Sequence, residues 1–230
     1  MLHALTTRLL DTLFPRHCLL CGDPAHGRAL CNGCLADLPY NEIACPRCAL
    51  PMTAFAPLCR DCLERPPPFD HACAPLRYAE PAAWLITALK FHRQLACAEL
   101  LGNLLAERIS AEPTTLPEVV VPVPLHPSRQ RSRGFNQAIE IARPLARRLA
   151  LPLEIDACRR QRATAVQSEL PARQRRANLD NAFRIHAGFQ PRTVAIVDDV
   201  MTTGSTAAAL TRALKESGVE EVQVWCCARA

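Results

Sequence analysis

The 230-residue sequence lacks any uninterrupted apolar run of the roughly 18 residues that a membrane-spanning helix requires. Its first segment, MLHALTTRLLDTLF, is interrupted by Arg8 and Asp11 and has no small-residue cleavage site. We therefore expect no membrane span, no secretory signal and a cytoplasmic location. Aromatic residues make up only 5 % of the chain, so few rings are available on which nucleic-acid bases could stack.

The remaining composition is that of a folded protein. Hydrophobic residues make up 49 % of the chain and charged residues 21 %, which suffices to form a core and excludes wholesale disorder. The length suits one domain of ordinary size together with a small accessory module.

Cysteine, in contrast, is abundant and regularly spaced. Eight of the 13 cysteines form four C-x-x-C pairs near the N-terminus. Two such pairs can place four thiolates around one tetrahedral zinc ion, so four pairs predict two structural zinc sites. We expect neighbouring pairs to share an ion, although the spacing leaves open an interleaved arrangement. The first predicted set is Cys18, Cys21, Cys31 and Cys34, and the second is Cys45, Cys48, Cys59 and Cys62.

Redox chemistry and chance each account less well for these cysteines. A redox dithiol fits a lone C-x-x-C better than four in series, and chance clustering is improbable at this regularity. His17 and His26 could each replace a thiolate, but four cysteines already complete the first site. With all four positions filled by protein, each zinc would stabilise short ribbon strands and tight turns and would leave no place for a catalytic water.

The chain divides at a run of three prolines, residues 66–68, which favours an extended and semi-rigid connection. We therefore assign an N-terminal helix to 1–16, a double zinc ribbon to 17–64, a proline-rich linker to 65–70 and an α/β domain to 71–230.

Within the α/β domain, short apolar strands alternate with helical segments, which predicts a mostly parallel sheet flanked by helices. The clearest strand is TVAIVDD at 193–199, and LEID at 153–156 is a further strand candidate. The helix predicted at 135–150 contains Pro144, which would either kink it or divide it into two pieces.

Positive charge is concentrated in one part of the chain. Residues 127–176 hold twelve arginines against four acidic residues, a net charge of +8, and only two lysines occur in the whole sequence. Arginines 143–148 could simply form a solvated helical face. In the predicted loops 127–134 and 158–176, arginine instead recurs among Ser, Thr, Gln and Asn, which favours contact with an anionic ligand such as phosphate.

The strongest chemical signal is the segment VAIVDDVMTTGST at 194–206. A buried strand runs into Asp198 and Asp199, then into a hydroxyl-rich turn containing Gly204, and then into a helix. The turn and the helix N-terminus together can bind a phosphate through backbone N–H groups. Two carboxylates would repel a phosphate alone, but they can accept hydrogen bonds from vicinal sugar hydroxyls. The segment therefore predicts a site for ribose 5-phosphate.

At these residues the chain resembles the phosphoribosyltransferase signature, with every position filled. Its wider layout is similar to that of the ComF/GntX-type family, from about Phe14 to the end. Besides the paired cysteines and the proline run, the similarity lies in LKFHR at 89–93, VPVPLHPSRQRSRGFNQ at 121–137, R-x-R-A-T-x-x-Q at 160–167 and RRANLDNAF at 175–183.

This resemblance implies a type I phosphoribosyltransferase fold behind the double zinc ribbon, and a site for 5-phosphoribosyl 1-diphosphate (PRPP). By the resemblance, Asp198 and Asp199 would hold the ribose hydroxyls. The 5-phosphate would lie against Thr202, Thr203, Gly204, Ser205 and Thr206.

The resemblance also implies a diphosphate loop at Arg133-Gly134-Phe135, where Arg133 and Mg²⁺ would offset the leaving-group charge. Lys90 is a second candidate for that role. The arginine-rich loop 158–176 would correspond to a mobile lid that excludes water. The part of the family fold that selects the acceptor is not identifiable in this sequence.

Two hypotheses follow. In the first, the chain is an enzyme that transfers a phosphoribosyl group to an unknown acceptor and releases pyrophosphate, in a role linked to DNA uptake in natural transformation. In the second, it is a non-catalytic competence factor that senses PRPP or binds single-stranded DNA through the +8 segment, with possible partners in the competence machinery. The scarcity of aromatic residues weakens the DNA hypothesis.

Overall fold

The structure is a computed structural model, and it describes residues 17–25, 29–161 and 182–230. The helix expected at 1–16 therefore lies outside the described residues, as do His26 and all of the predicted lid beyond Gln161. Among the described residues, no helix combines the length and the apolar character that crossing a membrane would need.

The described residues form seven helices and seven strands, and all but two of the helices follow the cysteine-rich region. The cysteine-rich region holds the short helices α1 (Asn32–Ala36) and α2 (Arg60–Glu64). The rest of the chain comprises β1 (His71–Cys73), β2 (Leu76–Arg77), α3 (Ala82–His92), α4 (Leu95–Ala111), β3 (Val119–Pro122), α5 (Pro127–Arg133), α6 (Gln137–Leu149), β4 (Cys158–Arg160), β5 (Phe183–Ile185), β6 (Thr193–Met201), α7 (Ser205–Glu216) and β7 (Glu221–Arg229).

The main sheet is parallel in every pairing and has the order β1-β7-β6-β3, with β2 pairing the end of β7. Ile196 lies at its centre, opposite Val121 on one side and Val224 on the other. β4 and β5 form a separate antiparallel pair. The expected parallel sheet flanked by helices is confirmed.

Both faces of this sheet are covered, as a parallel sheet requires. Along β6, Ala195 and Val197 pack with α3, α4 and α6, whereas Val194 and Ile196 pack on the opposite face with α7. This alternation with a period of two residues explains why the whole strand reads as an apolar run. It also sends Asp198 and Asp199 to different faces at the carboxyl end of the strand.

The proline-rich segment is fixed to the sheet rather than free. Phe69 is only 2 % exposed. The carboxylate of Asp70 accepts hydrogen bonds from the backbone N–H of Val222 at 2.9 Å and from Lys215 Nζ at 3.1 Å. Because of these contacts, the cysteine-rich region packs directly on the α/β domain.

Two sequence expectations differ from the structure. LEID at 153–156 is not a strand, since Leu153 makes one isolated bridge to Val120 and the pairing stops there. The described part of the cysteine-rich region contains isolated bridges and the two short helices instead of ribbon strands. Of the two alternatives for Pro144, division of the helix is excluded, since α6 runs unbroken through it.

The expected loop at 127–134 is also wrong, because residues 127–133 form α5. Pro127 occupies its first turn, where a proline costs no hydrogen bond, and the His126 ring accepts from the backbone N–H of Ser128 at 3.2 Å. Gly134 ends the helix in the left-handed conformation, with φ of 79°. α5 buries no residue, so its sequence carries no apolar periodicity from which a helix could be predicted.

Candidate functional site

The eight paired cysteines form two clusters in sequence order, as expected. We call Cys18, Cys21, Cys31 and Cys34 the first knuckle, and Cys45, Cys48, Cys59 and Cys62 the second knuckle. In each, the four Sγ atoms lie within 4.8 Å of one another. The Sγ atoms of Cys21 and Cys31 are 3.7 Å apart, and those of Cys48 and Cys59 are 3.6 Å apart. Tetrahedral zinc with Zn–S bonds of about 2.3 Å requires separations close to these.

The electrostatics of the clusters also suit a divalent cation. Burial raises the pKa of Cys18, but hydrogen bonds from the backbone N–H groups of Cys21, Cys31 and Leu20 outweigh it and lower the pKa to about 6. The pKa of Cys34 is raised, first by the neighbouring sulfur of Cys21 and then by burial. Four crowded sulfurs thus resist full ionisation until a cation is bound, so the donor sets fit structural zinc.

The acidic pair lies at the carboxyl end of β6, where ligands of open α/β sheets bind. Each carboxylate accepts a backbone hydrogen bond at 2.9 Å, Asp198 from the N–H of Asp199 and Asp199 from the N–H of Val200. Asp199 is only 4 % exposed, and Asp198 is partly buried. Burial raises the pKa of Asp198 well above its ordinary value, and the charge of Asp199 raises it further.

Lys90, at the end of α3, forms an ion pair with the Asp199 carboxylate through its Nζ atom. The structure thus brings Lys90 to the acidic pair. Its partner, Asp199, is one of the two carboxylates predicted to hold the ribose hydroxyls. Lys90 offsets part of the cost of burying Asp199. A sugar that used Asp199 would have to share the carboxylate with Lys90 or displace its ammonium group.

Three arginines surround the acidic pair. Burial lowers the pKa of Arg133, the charge of Asp199 raises it and that of Arg129 lowers it. Burial likewise lowers the pKa of Arg160, as does Arg129, and Asp198 raises it. Arginines from α5 and β4 therefore share one electrostatic neighbourhood with the carboxylates, as the anion-binding interpretation of these segments requires.

Arg133 is held by several contacts. Its Nη1 donates to Gln137 Oε1 at 2.5 Å, and its guanidinium lies 5.5 Å from the centre of the Phe91 ring. Its carbonyl oxygen accepts from Arg93 Nη2 at 2.9 Å. A Cβ atom at Gly134 would displace that same Arg93 nitrogen, and the φ of 79° is a left-handed conformation that favours glycine.

The turn after the acidic pair, residues 202–206, is called here the hydroxyl loop. Its side chains at Thr202, Thr203 and Ser205 are exposed, and Thr203 Oγ1 lies 3.0 Å from Ser205 Oγ. Gly204 has a φ of 72° and directly precedes α7. Asp198 and four residues of the hydroxyl loop, Thr202, Gly204, Ser205 and Thr206, line one small recess of about 40 Å³. The first turn of α7 therefore faces the same recess as Asp198.

Two positioning residues were missed by the sequence reasoning. Arg93 lies in the LKFHR segment and holds the backbone at Arg133. Arg229 is 9 % exposed and donates to the carbonyl oxygens of Met201 at 2.9 Å and Cys48 at 3.1 Å. Arg93 follows Lys90 closely in a basic segment, which is a local signal, whereas Arg229 stands in an apolar strand and gives none.

Comparison with known proteins matches two family models, one in each part of the chain. Residues 9–63 match a family model described as a double zinc ribbon domain, and residues 136–230 match one described as a phosphoribosyl transferase domain. A solved adenine phosphoribosyltransferase from Leishmania donovani is 16 % identical, with a TM-score of 0.38, over 60 % of this chain and 54 % of its own.

Full-length relatives share both parts. DNA utilization protein YhgH of Escherichia coli K12 is 42 % identical over 94 % of this chain and 97 % of its own length. Competence protein F of Haemophilus influenzae is 37 % identical over 94 % of this chain and 98 % of its own. With two four-cysteine zinc sites followed by a phosphoribosyltransferase domain, the chain belongs to the family of competence protein F and DNA utilization protein YhgH.

Proposed function

We propose that the protein binds PRPP with Mg²⁺ at the carboxyl end of β6 and transfers its phosphoribosyl group to an acceptor. The observation that carries this proposal is the continuity of the site: Asp198 and Asp199 lead without interruption into an exposed hydroxyl loop that opens a helix. A sugar with vicinal hydroxyls at one end and a phosphate at the other matches that order of groups.

In this proposal the acidic pair holds the ribose hydroxyls, and the backbone N–H groups and hydroxyls of residues 202–206 hold the 5-phosphate. Asp199 pairs with Lys90, and its carboxylate oxygens can accept a hydrogen bond from a sugar hydroxyl. Asp198 is disposed to carry a proton by burial and by Asp199, and it can share that proton with a sugar oxygen.

The diphosphate would lie on the arginine side of the site. Arg133 and Lys90 supply positive charge there, and the Arg93 guanidinium, which lies against Gly134, adds to it. Mg²⁺ would be held mostly by diphosphate oxygens and water, because this ion keeps much of its hydration shell. The carboxylates of Asp198 and Asp199 are oxygen donors of the right chemistry nearby.

Transfer breaks the bond between the sugar C1 atom and the diphosphate oxygen, and the electron pair leaves with pyrophosphate. The acceptor nucleophile then supplies the pair that forms the new bond at C1. Negative charge grows on the leaving group as the bond breaks, so fixed cations such as Arg133 would stabilise the transition state more than the ground state.

A second candidate function is a non-catalytic role in which the site senses PRPP or the arginine segment binds single-stranded DNA. Phe91 supports it, because its ring is 69 % exposed and lies under Arg133, which pairs a stacking surface with a phosphate-binding charge. The names of the relatives, DNA utilization protein and competence protein, favour a biological role of either kind in DNA uptake.

Calorimetric titration with PRPP and Mg²⁺ tests the proposed function. We expect micromolar binding that Asp199→Asn reduces at least tenfold, because the variant loses the charge that orders Lys90 and accepts from the sugar. Asp156→Asn, an exposed carboxylate change outside the site, is the matched control and should bind normally. Absence of binding to the wild type would refute the proposal.

Two further measurements separate the candidate functions. Release of pyrophosphate on adding an acceptor would establish transfer. Binding of single-stranded DNA that weakens with salt, survives Asp199→Asn and is lost when Arg129 and Arg160 are both replaced by Gln would favour the second function.

A further inference from the structure

Arg229 joins the second knuckle to the hydroxyl loop. Its Nε donates to the carbonyl oxygen of Cys48 at 3.1 Å. Its Nη1 donates to the carbonyl oxygens of Met201, at 2.9 Å, and of Thr202. One buried guanidinium therefore contacts a predicted zinc ligand's backbone on one side and the start of the hydroxyl loop on the other.

Arginine is suited to this position for two reasons. Its fork of donors can satisfy several carbonyl oxygens at fixed angles, which the single ammonium of lysine cannot do. Its charge is also held in place by the end of β7, whose last paired position places Arg229 opposite Met201. The contact is therefore anchored in the main sheet.

The contact sets the direction of the loop backbone. In a planar trans peptide, the carbonyl oxygen of one residue and the N–H of the next point in opposite directions. With the carbonyls of Met201 and Thr202 held by Arg229, the N–H groups of Thr202 and Thr203 must point away from Arg229. These N–H groups belong to the hydroxyl loop that the proposed function assigns to the 5-phosphate.

Side-chain packing reinforces this link. Phe69 and Met201, exposed by 2 % and 4 %, belong to the same buried cluster as all four cysteines of the second knuckle. Both side chains reach the position where a Cβ atom on Gly204 would stand, at 3.9 Å and 3.6 Å. A displacement of the second knuckle would therefore also move the side chains that contact Gly204 in the hydroxyl loop.

We propose that the second knuckle positions the hydroxyl loop through Arg229, so that zinc in this knuckle and a sugar phosphate in the loop bind cooperatively. This inference rests on the proposed function, because it assumes that the loop receives the 5-phosphate. Arg229 is a positioning residue that acts through the backbone of Met201 and Thr202. Linkage is reciprocal, so PRPP must tighten zinc binding as much as zinc tightens PRPP binding.

The first test measures PRPP affinity by calorimetry in three variants with both zincs bound. Arg229→Gln should weaken binding about tenfold or more, within the usual range of coupling between sites. Arg229→Lys should recover part of the loss, because it retains one charged donor. Arg77→Gln is the matched control, since Arg77 is the exposed neighbour of Arg229 in the parallel register, and its affinity should be unchanged.

The second test follows zinc release to a chromogenic chelator with and without PRPP and Mg²⁺. In the wild type we expect PRPP to slow the release of one of the two zinc ions. In Arg229→Gln we expect PRPP to slow the release of neither ion. Cys34→Ser, which disrupts the first knuckle, should keep both the PRPP affinity and the protected zinc. Cys62→Ser should lose both.

The outcomes distinguish this inference from the proposed function. A wild type that fails to bind PRPP refutes the proposed function itself. A wild type that binds PRPP, with undiminished affinity in Arg229→Gln or with zinc release indifferent to PRPP, overturns the coupling alone. If Arg229→Gln does not fold, the zinc-release measurement on the wild type and on Cys34→Ser still tests whether zinc and PRPP binding are coupled.

Discussion

The two zinc knuckles have the same ligands and spacing but different surroundings. In the first, Cys21 is exposed and Cys31 and Cys34 are partly buried, whereas all four cysteines of the second are buried. The first packs on the sheet face covered by α4 and α6, and the second on the opposite face, which carries α7. Two metal sites with the same ligands thus differ in their burial and in the face of the sheet against which they pack.

The cavities beside the two knuckles also differ, because only one of them is lined by residues of the candidate site. A cleft of about 700 Å³ lies between the first knuckle region and α4 and touches none of the residues predicted to bind PRPP. The groove beside the second knuckle, of about 360 Å³, is bounded by Thr203, Gly204 and Ser205 of the hydroxyl loop. Local sequence alone would treat the knuckles as interchangeable, but the fold makes only the second a neighbour of the candidate site.

The largest predicted effect compares one ligand from each knuckle. Cys62→Ser should lower the free energy of unfolding by more than about 4 kcal/mol, since it leaves a buried set of thiolates without its metal. Cys34→Ser should cost about half as much, because water can reach the first knuckle and replace the lost ligand. Denaturant unfolding at fixed zinc activity measures both.

Cys97→Ala provides the control for losing a buried cysteine that lies in neither knuckle, and it should cost about 1 kcal/mol. Equal losses for Cys34→Ser and Cys62→Ser would show that burial does not distinguish the knuckles.

The second prediction uses a glycine on each face of the sheet. A Cβ atom at Gly102 in α4 would meet the Ile141 carbonyl oxygen at 2.5 Å and Pro144 Cγ at 2.7 Å, so Gly102→Ala should destabilise the protein by about 1–3 kcal/mol. Gly204→Ala has space for its methyl group and is destabilised chiefly by a positive φ, by about 1 kcal/mol.

The two glycine variants should separate stability from binding. Gly102→Ala should keep its PRPP affinity, whereas Gly204→Ala should lose at least tenfold, because alanine is strained at a φ of 72° and relief of that strain would move the N–H groups of the hydroxyl loop. Thermal unfolding and calorimetric titration of the same samples check both. A Gly204→Ala protein with normal affinity would contradict the placement of the 5-phosphate.

The two knuckles and the acidic pair could be predicted from the sequence. The cysteine spacing and the VAIVDDVMTTGST segment concern residues close together in the chain, so local chemistry identifies both knuckles and the acidic pair. Lys90 was predicted as a site residue from the family resemblance. Its expected role at the diphosphate stays a prediction, and the structure adds an ion pair with Asp199, because α3 ends beside β6.

The coupling between knuckle and loop could not be predicted, because its key hydrogen bond joins Arg229 and Cys48, which are 181 residues apart. A lone arginine in the apolar strand EVQVWCCAR carries no sign of its partner. α5 was missed for a different reason, since it buries nothing. Local pattern thus predicts ligands and signature residues, whereas the residues that position them depend on the packing of distant segments.

The third prediction concerns pH and the acidic pair. The raised pKa of Asp198 means that the folded state holds its proton more tightly than the unfolded state, so this residue's favourable contribution is present at low pH. It is lost as the pH rises from about 4 toward the folded-state pKa. Asp198→Asn should therefore be more stable than the wild type by about 1 kcal/mol at neutral pH, with the difference vanishing in acid.

The same variant should bind PRPP more weakly, since an amide has no carboxyl proton to share with the sugar oxygen. Denaturant unfolding between pH 4 and 8 measures the stability difference, and calorimetry measures the affinity. Asp156→Asn, an exposed change outside the acidic pair, should show neither effect. A destabilised Asp198→Asn at neutral pH would mean that Asp198 is favourably ionised beside Asp199 and Lys90.

The smallest predicted effect tests whether surface charge adds to the importance of the second knuckle. Arg60 Nε lies 2.7 Å from Glu64 Oε1 across one turn of α2, but the Arg60 side chain is 88 % exposed. Removing the pair with Arg60→Gln should cost no more than about 0.5 kcal/mol, since water and salt screen exposed pairs of this spacing. PRPP affinity should be unaffected. A larger loss of stability, persisting in high salt, would assign part of the second knuckle's role to its surface helix instead of its buried thiolates and the Cys48 carbonyl.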